Sequence, residues 1–298
     1  MNRTEAEPNG KVGSGAEVGS GSEIESGTRS NSGTGSNSGT GPSSSAGSSS
    51  HTGSGSSARP ATDGRTTTEG RTDAVAPSET DAHDSDAFER ALEAFGRGEP
   101  ICVHDAADRE GETDLIYPAE AVTPEAVVRM RNDAGGLICL ALTDAVAEAF
   151  GLPFFTDAVD HPATADHELG YDDRSSFSFT VNHRDTFTGI TDDDRSLTIR
   201  ELGAAARDPD AAEFAANFRV PGHVHLLRGA PGLLAHREGH TELGLALADA
   251  AGREPAVVVC EMLDDETGEA RTPGAAKAYA ERQGLVYLEG SEILDRLG

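Results

Sequence analysis

The sequence predicts an α/β (α+β) fold: a single domain with a mixed β-sheet covered by helices, preceded by a disordered N-terminal tail. Three observations carry this. Residues 1–84 hold no Leu, Phe, Tyr or Trp and are dominated by Ser, Gly and Thr, so they cannot bury enough apolar surface to offset the entropy of ordering. The remaining stretch, 85–298, is long enough for one sizeable core. Within it, apolar runs of strand length interleave with helical spacing, and some strands are joined by hairpins, which gives a mixed sheet.

Taken in order, Asp84 or Ser85 caps a first helix over 87–97, with Phe88, Leu92 and Phe95 on one face and Gly98 as its stop. Ile101–His104 and 115–117 are strands of a hairpin around the loop 105–114, DAADREGETD, where Gly111 lets the chain turn. Thr123-Pro124 opens a helix to Asn132, with Pro at the first helical position. A turn over 133–136 leads to a continuous apolar strand, 137–142, expected to be central. Thr143 or Asp144 caps a short helix ended near Gly151. Residues 151–175 are loop, and 176–181 alternates small polar with apolar residues as a half-buried strand. The run Thr191 to Asp194 caps a helix with Leu197, Ile199 and Leu202, and 208–217 is an Ala-rich helix or linker. Thr241 is the expected cap of a strong helix carrying Leu243, Ala246, Leu247 and Ala250. Then follow a buried strand over 256–263, a hairpin turn over 264–268 and a helix from Pro273 to Gln283. A strand over 285–288 and a helix over 291–297 close the chain.

The formal charge is −28, from 52 Asp and Glu against 24 Lys and Arg, and only Lys11 and Lys277 are lysines. So acidic a surface argues against a nucleic-acid or anionic-membrane partner, since counterion-release binding needs basic patches. It suits a protein kept soluble at high salt, hence a halophilic host. Cys102, Cys139 and Cys260 each lie in an apolar run with no CxxC, as reduced core thiols do. No apolar run approaches the ~20 residues of a membrane span, and no signal-peptide h-region opens the chain, so a cytoplasmic location is expected.

Candidate chemistry concentrates in a few stretches. Glu110, Glu112 and Asp114 alternate, so in an extended chain all three share a face and repel unless a cation or an Arg sits among them. The competing reading is a solvated acidic loop, and Asp105 and Asp108 are placed in that structural or solvated class. Arg237-Glu-Gly-His-Thr241 stands before a helix N-terminus, where a phosphate can be held, or where Arg237 simply pairs with a carboxylate. His240 is a metal ligand or an ordinary N-terminal polar residue. His223 follows the turn Pro221-Gly222 and is either presented to a cleft or structural. Glu261 interrupts the core-like AVVVCEML, so it is paired, metal-bound and functional, or solvent-facing on an edge strand. The loop 187–191 carries two hydroxyls around a Gly, a weak phosphate-side candidate. Carboxylates, a His and an Arg at a helix N-terminus, without a Cys set, suit a hard divalent cation and a phosphorylated substrate.

Several long motifs occur in order: DREGETDLIYPAE (108–120), RNDAGGLICLALT (131–143), SSFSFTVNHRDTFTGITDDDR (175–195), RVPGHVHLLRGAPGLLAHREGHTELGLALADAAG (219–252) and CEMLDDETGEA (260–270). Over about 88–297 the chain resembles the 3,4-dihydroxy-2-butanone 4-phosphate synthases of riboflavin biosynthesis, an archaeal-halophile-like member. The resemblance implies an α/β sandwich and a homodimer with sites at the interface. It also implies conversion of D-ribulose 5-phosphate into L-3,4-dihydroxy-2-butanone 4-phosphate and formate with magnesium, or manganese, as the ion. By motif it implies Arg109, Glu110 and Asp114 at the substrate, and Arg237, Glu238, Gly239, His240 and Thr241 at its phosphate end. Glu110 and His240 then hold the metal, and His223 and Glu261 are essential to the chemistry, Glu261 also touching substrate. The catalytic domain is 85–298. The Cys-rich zinc motif of a following GTP cyclohydrolase II module is missing, so a monofunctional enzyme is expected. Two other readings use the same residues: a metal-dependent phosphosugar isomerase or aldolase that releases no formate, and an acidic phosphosugar-binding scaffold with no chemistry.

Overall fold

The structure is a computed structural model that describes residues 79–106, 109–165, 169–170, 172 and 174–298, for 79–86 the backbone only. They lie in one compact unit, Arg71–Gly298. The tail expected over 1–84 falls, up to residue 78, outside the described residues, and so does Asp108.

Helix α1 (Glu79–Gly96) starts upstream of the expected cap, so Asp84 and Ser85 lie inside it. Strands β1 (Ile101–His104) and β2 (Thr113–Pro118) form the expected hairpin. Helix α2 (Pro124–Arg129) is capped by Thr123, whose hydroxyl accepts from the Ala126 N–H. It passes at Met130–Ala134 into a π turn closed by Gly135 at φ 91°. Strand β3 (Cys139–Leu142) and helix α3 (Asp144–Phe150) follow, the helix capped by Thr143. Next come α4 (Phe155–Ala158), β4 (Phe177–His183), α5 (Asp192–Ala205), capped by Thr191, and α6 (Ala211–Asn217), capped by Asp210. The chain ends through β5 (Phe218–Arg228), α7 (His240–Ala250), β6 (Ala256–Val259), α8 (Pro273–Gln283), β7 (Val286–Glu289) and α9 (Gly290–Leu297).

Among the described residues seven strands make one sheet in the order β4-β5-β3-β6-β2-β1-β7. Only β3–β5 and β1–β7 are parallel, so the sheet is mixed, as expected. Side chains alternate across it. One face gives Cys102, Leu115, Leu140, Leu142 and Val258 to a core with α2, α5 and α8. The other gives Ile101, Val103, Ile116, Ala141 and Val257 to a core with α1, α7 and α9. Burial on both faces explains why β3 and β6 read as unbroken apolar runs; each buried Leu or Val in them contributes about 1.5–3 kcal/mol. Cys102, Cys139 and Cys260 are free, buried thiols.

Besides the cap of α1, three expectations fail, the first being that 151–175 is all loop, since α4 lies within it. In β4 the expected apolar face holds at Val181, which is buried, and at Phe179, packed against the core, but not at its start: Phe177 is 39% exposed and Ser178 is buried, its Oγ donating to the Pro153 carbonyl. The strand expected over 256–263 ends its regular pairing at Val259, and 261–263 form only isolated bridges.

Candidate active site

The β1–β2 hairpin folds its acidic loop back on itself. The Asp105 N–H donates to the Glu112 carbonyl at 3.1 Å, and the Arg109 N–H to that of Ala106 at 2.9 Å. His104 Nδ1–H donates to the Glu112 carbonyl at 2.8 Å, and Asp105 Oδ1 accepts from the Glu112 N–H at 3.2 Å. Asp105 is buried (1% exposed) rather than solvated, enclosed between this loop and α7. Its Oδ2 points at the N-terminus of α7.

That N-terminus corrects a further expectation. Gly239, not Thr241, is the N-cap, and no side chain caps the helix; Thr241 sits in its first turn. A Cβ at Gly239 would lie 2.4 Å from Arg237 Nη1 and 3.0 Å from Arg109 Nη2. Glycine thus lets two guanidiniums converge on a helix end whose free N–H groups favour anions.

His240 opens α7, 5% exposed, inside a ring of carboxylates. Its Nδ1 is 3.5 Å from Glu110 Oε2 and 4.0 Å from Asp105 Oδ2, and its Nε2 is 3.7 Å from Asp114 Oδ1. Ligand atoms of Asp105, Glu110 and His240 all lie within 4.8 Å of one another. Asp105 Oδ2, Asp114 Oδ1 and His240 Nε2 are buried without a hydrogen-bond partner. Orphaned buried acceptors of this kind, mostly carboxylate oxygens, fit a hard divalent cation. Burial pushes Asp114 up to about 8, reinforced by Glu261, Glu110 and Glu112 and opposed by His240. Burial works against a charged His240, but Asp114, Glu110 and Asp105 outweigh it and raise the group to about 9. The hydrogen bond with His240 holds Glu110 low, and burial raises Glu112.

Arg237 is held on three sides. It forms a close ion pair with Asp172, donates to Glu242 Oε2 at 2.6 Å and approaches Glu110 Oε1 at 3.8 Å. Arg109 stands 3.7 Å from Asp105 Oδ2 and 3.6 Å from Asp172. Pairing with carboxylates and facing a ligand are here compatible, since both arginines also line the cavity below. Asp172 and Glu242 escaped the sequence reading. Asp172 is one acid in a loop full of them, and Glu242 hides in a helix read only for its apolar stripe; its other oxygen accepts from the Ala230 N–H at 2.9 Å.

Asp114 and Glu261 are cross-strand partners in an isolated antiparallel bridge. Glu261 lies just past β6 and is half-buried, not in the core; its Oε2 accepts from the Leu137 N–H at 2.8 Å. A Cβ at Gly136 would lie 2.4 Å from that oxygen and 2.5 Å from the Glu261 carbonyl oxygen, so the glycine seats the carboxylate. Arg109, Glu110, Glu112, Asp114, Arg237, His240, Thr241 and Glu261 line one cavity of about 460 Å³. Glu110, Glu112 and Asp114 do meet at one cavity, but not as the extended run their alternation predicted: Glu110 stands in a turn, Gly111 is at φ 67° and β2 begins only at Thr113. Glu238 is exposed and lines a neighbouring hollow instead.

His223 is not among the residues lining this cavity. It is exposed on β5, hydrogen-bonded to Asn182. In the loop 187–191 the Phe187, Thr188 and Gly189 N–H groups all donate to the carboxylate of Asp194, so these three amides already hold an anion of the chain's own.

A model of the family 3,4-dihydroxy-2-butanone 4-phosphate synthase matches residues 89–296. A 3,4-dihydroxy-2-butanone 4-phosphate synthase of Archaeoglobus fulgidus is 48% identical over 221 residues, 70% of this chain and 92% of the relative. One of Methanosarcina acetivorans is 49% identical over 219 residues, 69% of this chain and 89% of the relative. Among solved structures, the Candida albicans synthase superposes with a TM-score of 0.60 at 30% identity, over 71% of this chain and 97% of that one. A synthase in complex with two magnesium ions superposes with a TM-score of 0.58 at 34% identity, over 69% of this chain and 94% of that one.

Proposed function

The chain belongs to the 3,4-dihydroxy-2-butanone 4-phosphate synthase family, and from that premise we propose how its own residues divide the work. The protein is a lyase of riboflavin biosynthesis that converts D-ribulose 5-phosphate into L-3,4-dihydroxy-2-butanone 4-phosphate and formate with magnesium. The observation that carries the assignment of roles is the convergence of Asp105, Glu110 and His240 beside two arginines and an uncapped helix N-terminus.

Glu110 and His240 hold the ion, joined by Asp105. Bound there, magnesium polarises the sugar's carbonyl and offsets charge developing on neighbouring oxygens. Arg109, Arg237 and the first N–H groups of α7, at Gly239 to Thr241, hold the phosphate. Asp114, buried and with its carboxyl pushed up to about 8 in the metal-free protein, is suited to giving a proton to a substrate oxygen, whereas Glu261, seated by Leu137, is suited to taking one. Glu112 stands by as a second carboxylate of raised pKa. Glu238, exposed, bounds the phosphate end from outside.

His223 enters from a second copy. Its exposure, its absence from the cavity lining, and the exposed Phe187, Ile190 and Val220 on the same segments support a homodimer whose sites are shared. The catalytic domain is taken as 85–298. The acidic composition supports adaptation to salt and no nucleic-acid or membrane partner. No described helix is long and apolar enough to cross a membrane, and a cytoplasmic location fits a biosynthetic enzyme. Manganese, with similar ligand preferences, is the alternative ion.

The test is a formate assay on ribulose 5-phosphate with magnesium and with EDTA. His223→Ala and Glu261→Ala are expected to fold and bind but release no formate; near-wild-type turnover in either removes that residue from the mechanism.

A further inference from the structure

Strand β5 does not run straight along β4. The ladder pairs Val181 with Val224 but Asn182 with Arg219, so residues 220–223 stand off from it as an excursion that carries His223. The excursion is pinned twice. The Gly222 N–H donates to Thr180 Oγ1 at 3.2 Å, and a Cβ there would lie 1.9 Å from the Val181 carbonyl carbon, so glycine alone permits the approach. The His223 N–H donates to Asn182 Oδ1 at 2.8 Å.

The same carboxamide reaches the imidazole. Asn182 is 4% exposed, and its Nδ2 lies 3.1 Å from His223 Nδ1 and donates to the Thr188 carbonyl at 3.4 Å. These partners fix which end of the amide is which. Reversed, Nδ2 would face a backbone N–H and Oδ1 a carbonyl oxygen, two repulsive pairs. An NH₂ group aimed at Nδ1 requires a lone pair there, because a proton on Nδ1 would set donor against donor. Oδ1 keeps a second lone pair but lies farther from Nδ1, at 3.3 Å against 3.1 Å for Nδ2, and its shorter bond is to the backbone N–H, so the nearer amide nitrogen decides. The neutral ring therefore carries its proton on the other nitrogen, Nε2.

We infer that Asn182 is a positioning residue that locks His223 in the Nε2–H tautomer, so that His223 meets the substrate as a neutral hydrogen-bond donor to an oxygen and not as the base that removes a proton. The inference rests on the proposed part of His223 in the reaction. It assigns the proton-abstracting work to carboxylates, of which Glu261 and Glu112 line the cavity.

Imidazole ¹⁵N spectra of the full-length protein test it, with the His223 signals assigned by their loss in His223→Ala. Wild type is expected to show a protonated Nε2 and an unprotonated Nδ1 at His223. In Asn182→Asp the carboxylate accepts from Nδ1–H, so the two nitrogen types exchange, and kcat falls by about tenfold or more with KM within about twofold. Asn182→Ala is expected to mix the tautomers and lower kcat less, with thermal melting and magnesium binding confirming the fold. A protonated Nδ1 in wild type overturns the inference. So does Asn182→Asp with unchanged nitrogens, or with wild-type kcat while His223→Ala is inactive. If His223→Ala itself turns over normally, the catalytic reading of His223 fails, and the proposed donor role goes with it even where the ¹⁵N pattern is as expected.

Discussion

His240 Nε2 and Asp114 Oδ1 face each other across 3.7 Å, and neither atom is hydrogen-bonded. A buried imidazole and a buried carboxyl placed this way share a proton well and a cation alternately, because a metal ligand must give its proton up. His240 belongs to the trio proposed to hold the ion, and Asp114 to the bridge with Glu261.

That proximity makes stability depend on pH in the chelated protein. His240 rises from 6.5 to about 9 and Asp114 from 3.8 to about 8, so both bind a proton more tightly folded than unfolded. The His240 contribution is full below pH 6.5 and is lost as pH rises through about 9; that of Asp114 is lost between 3.8 and about 8. With EDTA the melting temperature is expected to fall from pH 6.5 towards 9, and magnesium to restore more of it near 9 than near 6.5. Melts at several pH values check this; a magnesium effect independent of pH speaks against His240 as a ligand.

Asp105→Asn keeps the loop hydrogen bond in shape but removes a charge from the trio. The expected result is magnesium affinity about 10- to 100-fold weaker by calorimetric titration, with little change in melting of the chelated protein. Unaltered affinity assigns Asp105 back to loop structure alone.

Gly136→Ala drives a methyl into the Glu261 carboxylate and into its immobile backbone carbonyl. A displacement of about 1 Å at such a group costs roughly 100-fold in rate, so formate release should collapse while far-ultraviolet circular dichroism stays native. Gly274→Ala, where a Cβ meets nothing within 4 Å, is the matched control and should leave turnover intact.

Shared sites predict complementation. If His223 comes from the neighbouring subunit, mixing inactive His223→Ala with inactive Glu261→Ala restores turnover. Random exchange makes half the dimers mixed, each with one intact site of two, so about a quarter of wild-type activity is expected. A mixture as dead as its components places both residues in one subunit.

Raising salt from low to multimolar is expected to raise the melting temperature, since screening relieves the repulsion of a −28 surface. Flat or falling melts remove the case for salt adaptation.

Local chemistry was legible in the sequence and long-range placement was not. Thr123 caps as expected, Thr143 is the capping member of the pair 143–144 and Thr191 of the run 191–194, since a cap draws on about three residues, whereas Thr241 lost that place to Gly239; Pro273 to Gln283 is bounded by its own Pro and by Gly284. The hairpin under the acidic loop was readable for the same reason. Asp105 was not: its burial depends on α7, more than a hundred residues on, delivering His240 to it. Likewise the half-buried setting of Glu261 depends on the distant Leu137, whereas Asp194, five to seven residues from the 187–189 amides it accepts from, is a local partner read only as part of a capping run. The resemblance supplied roles for these residues. The geometry adds which of them meet in one chain, and leaves His223 outside.

The Asp114–Glu261 bridge carries a last consequence. Two acid groups on adjoining chain segments inherit their backbone separation from peptide geometry, roughly 4.5–5.5 Å, whatever packs around them. The helices above and below can drift in sequence without detuning the pair, so this half of the site is free to keep its spacing while the protein's exterior is rebuilt for a different solvent.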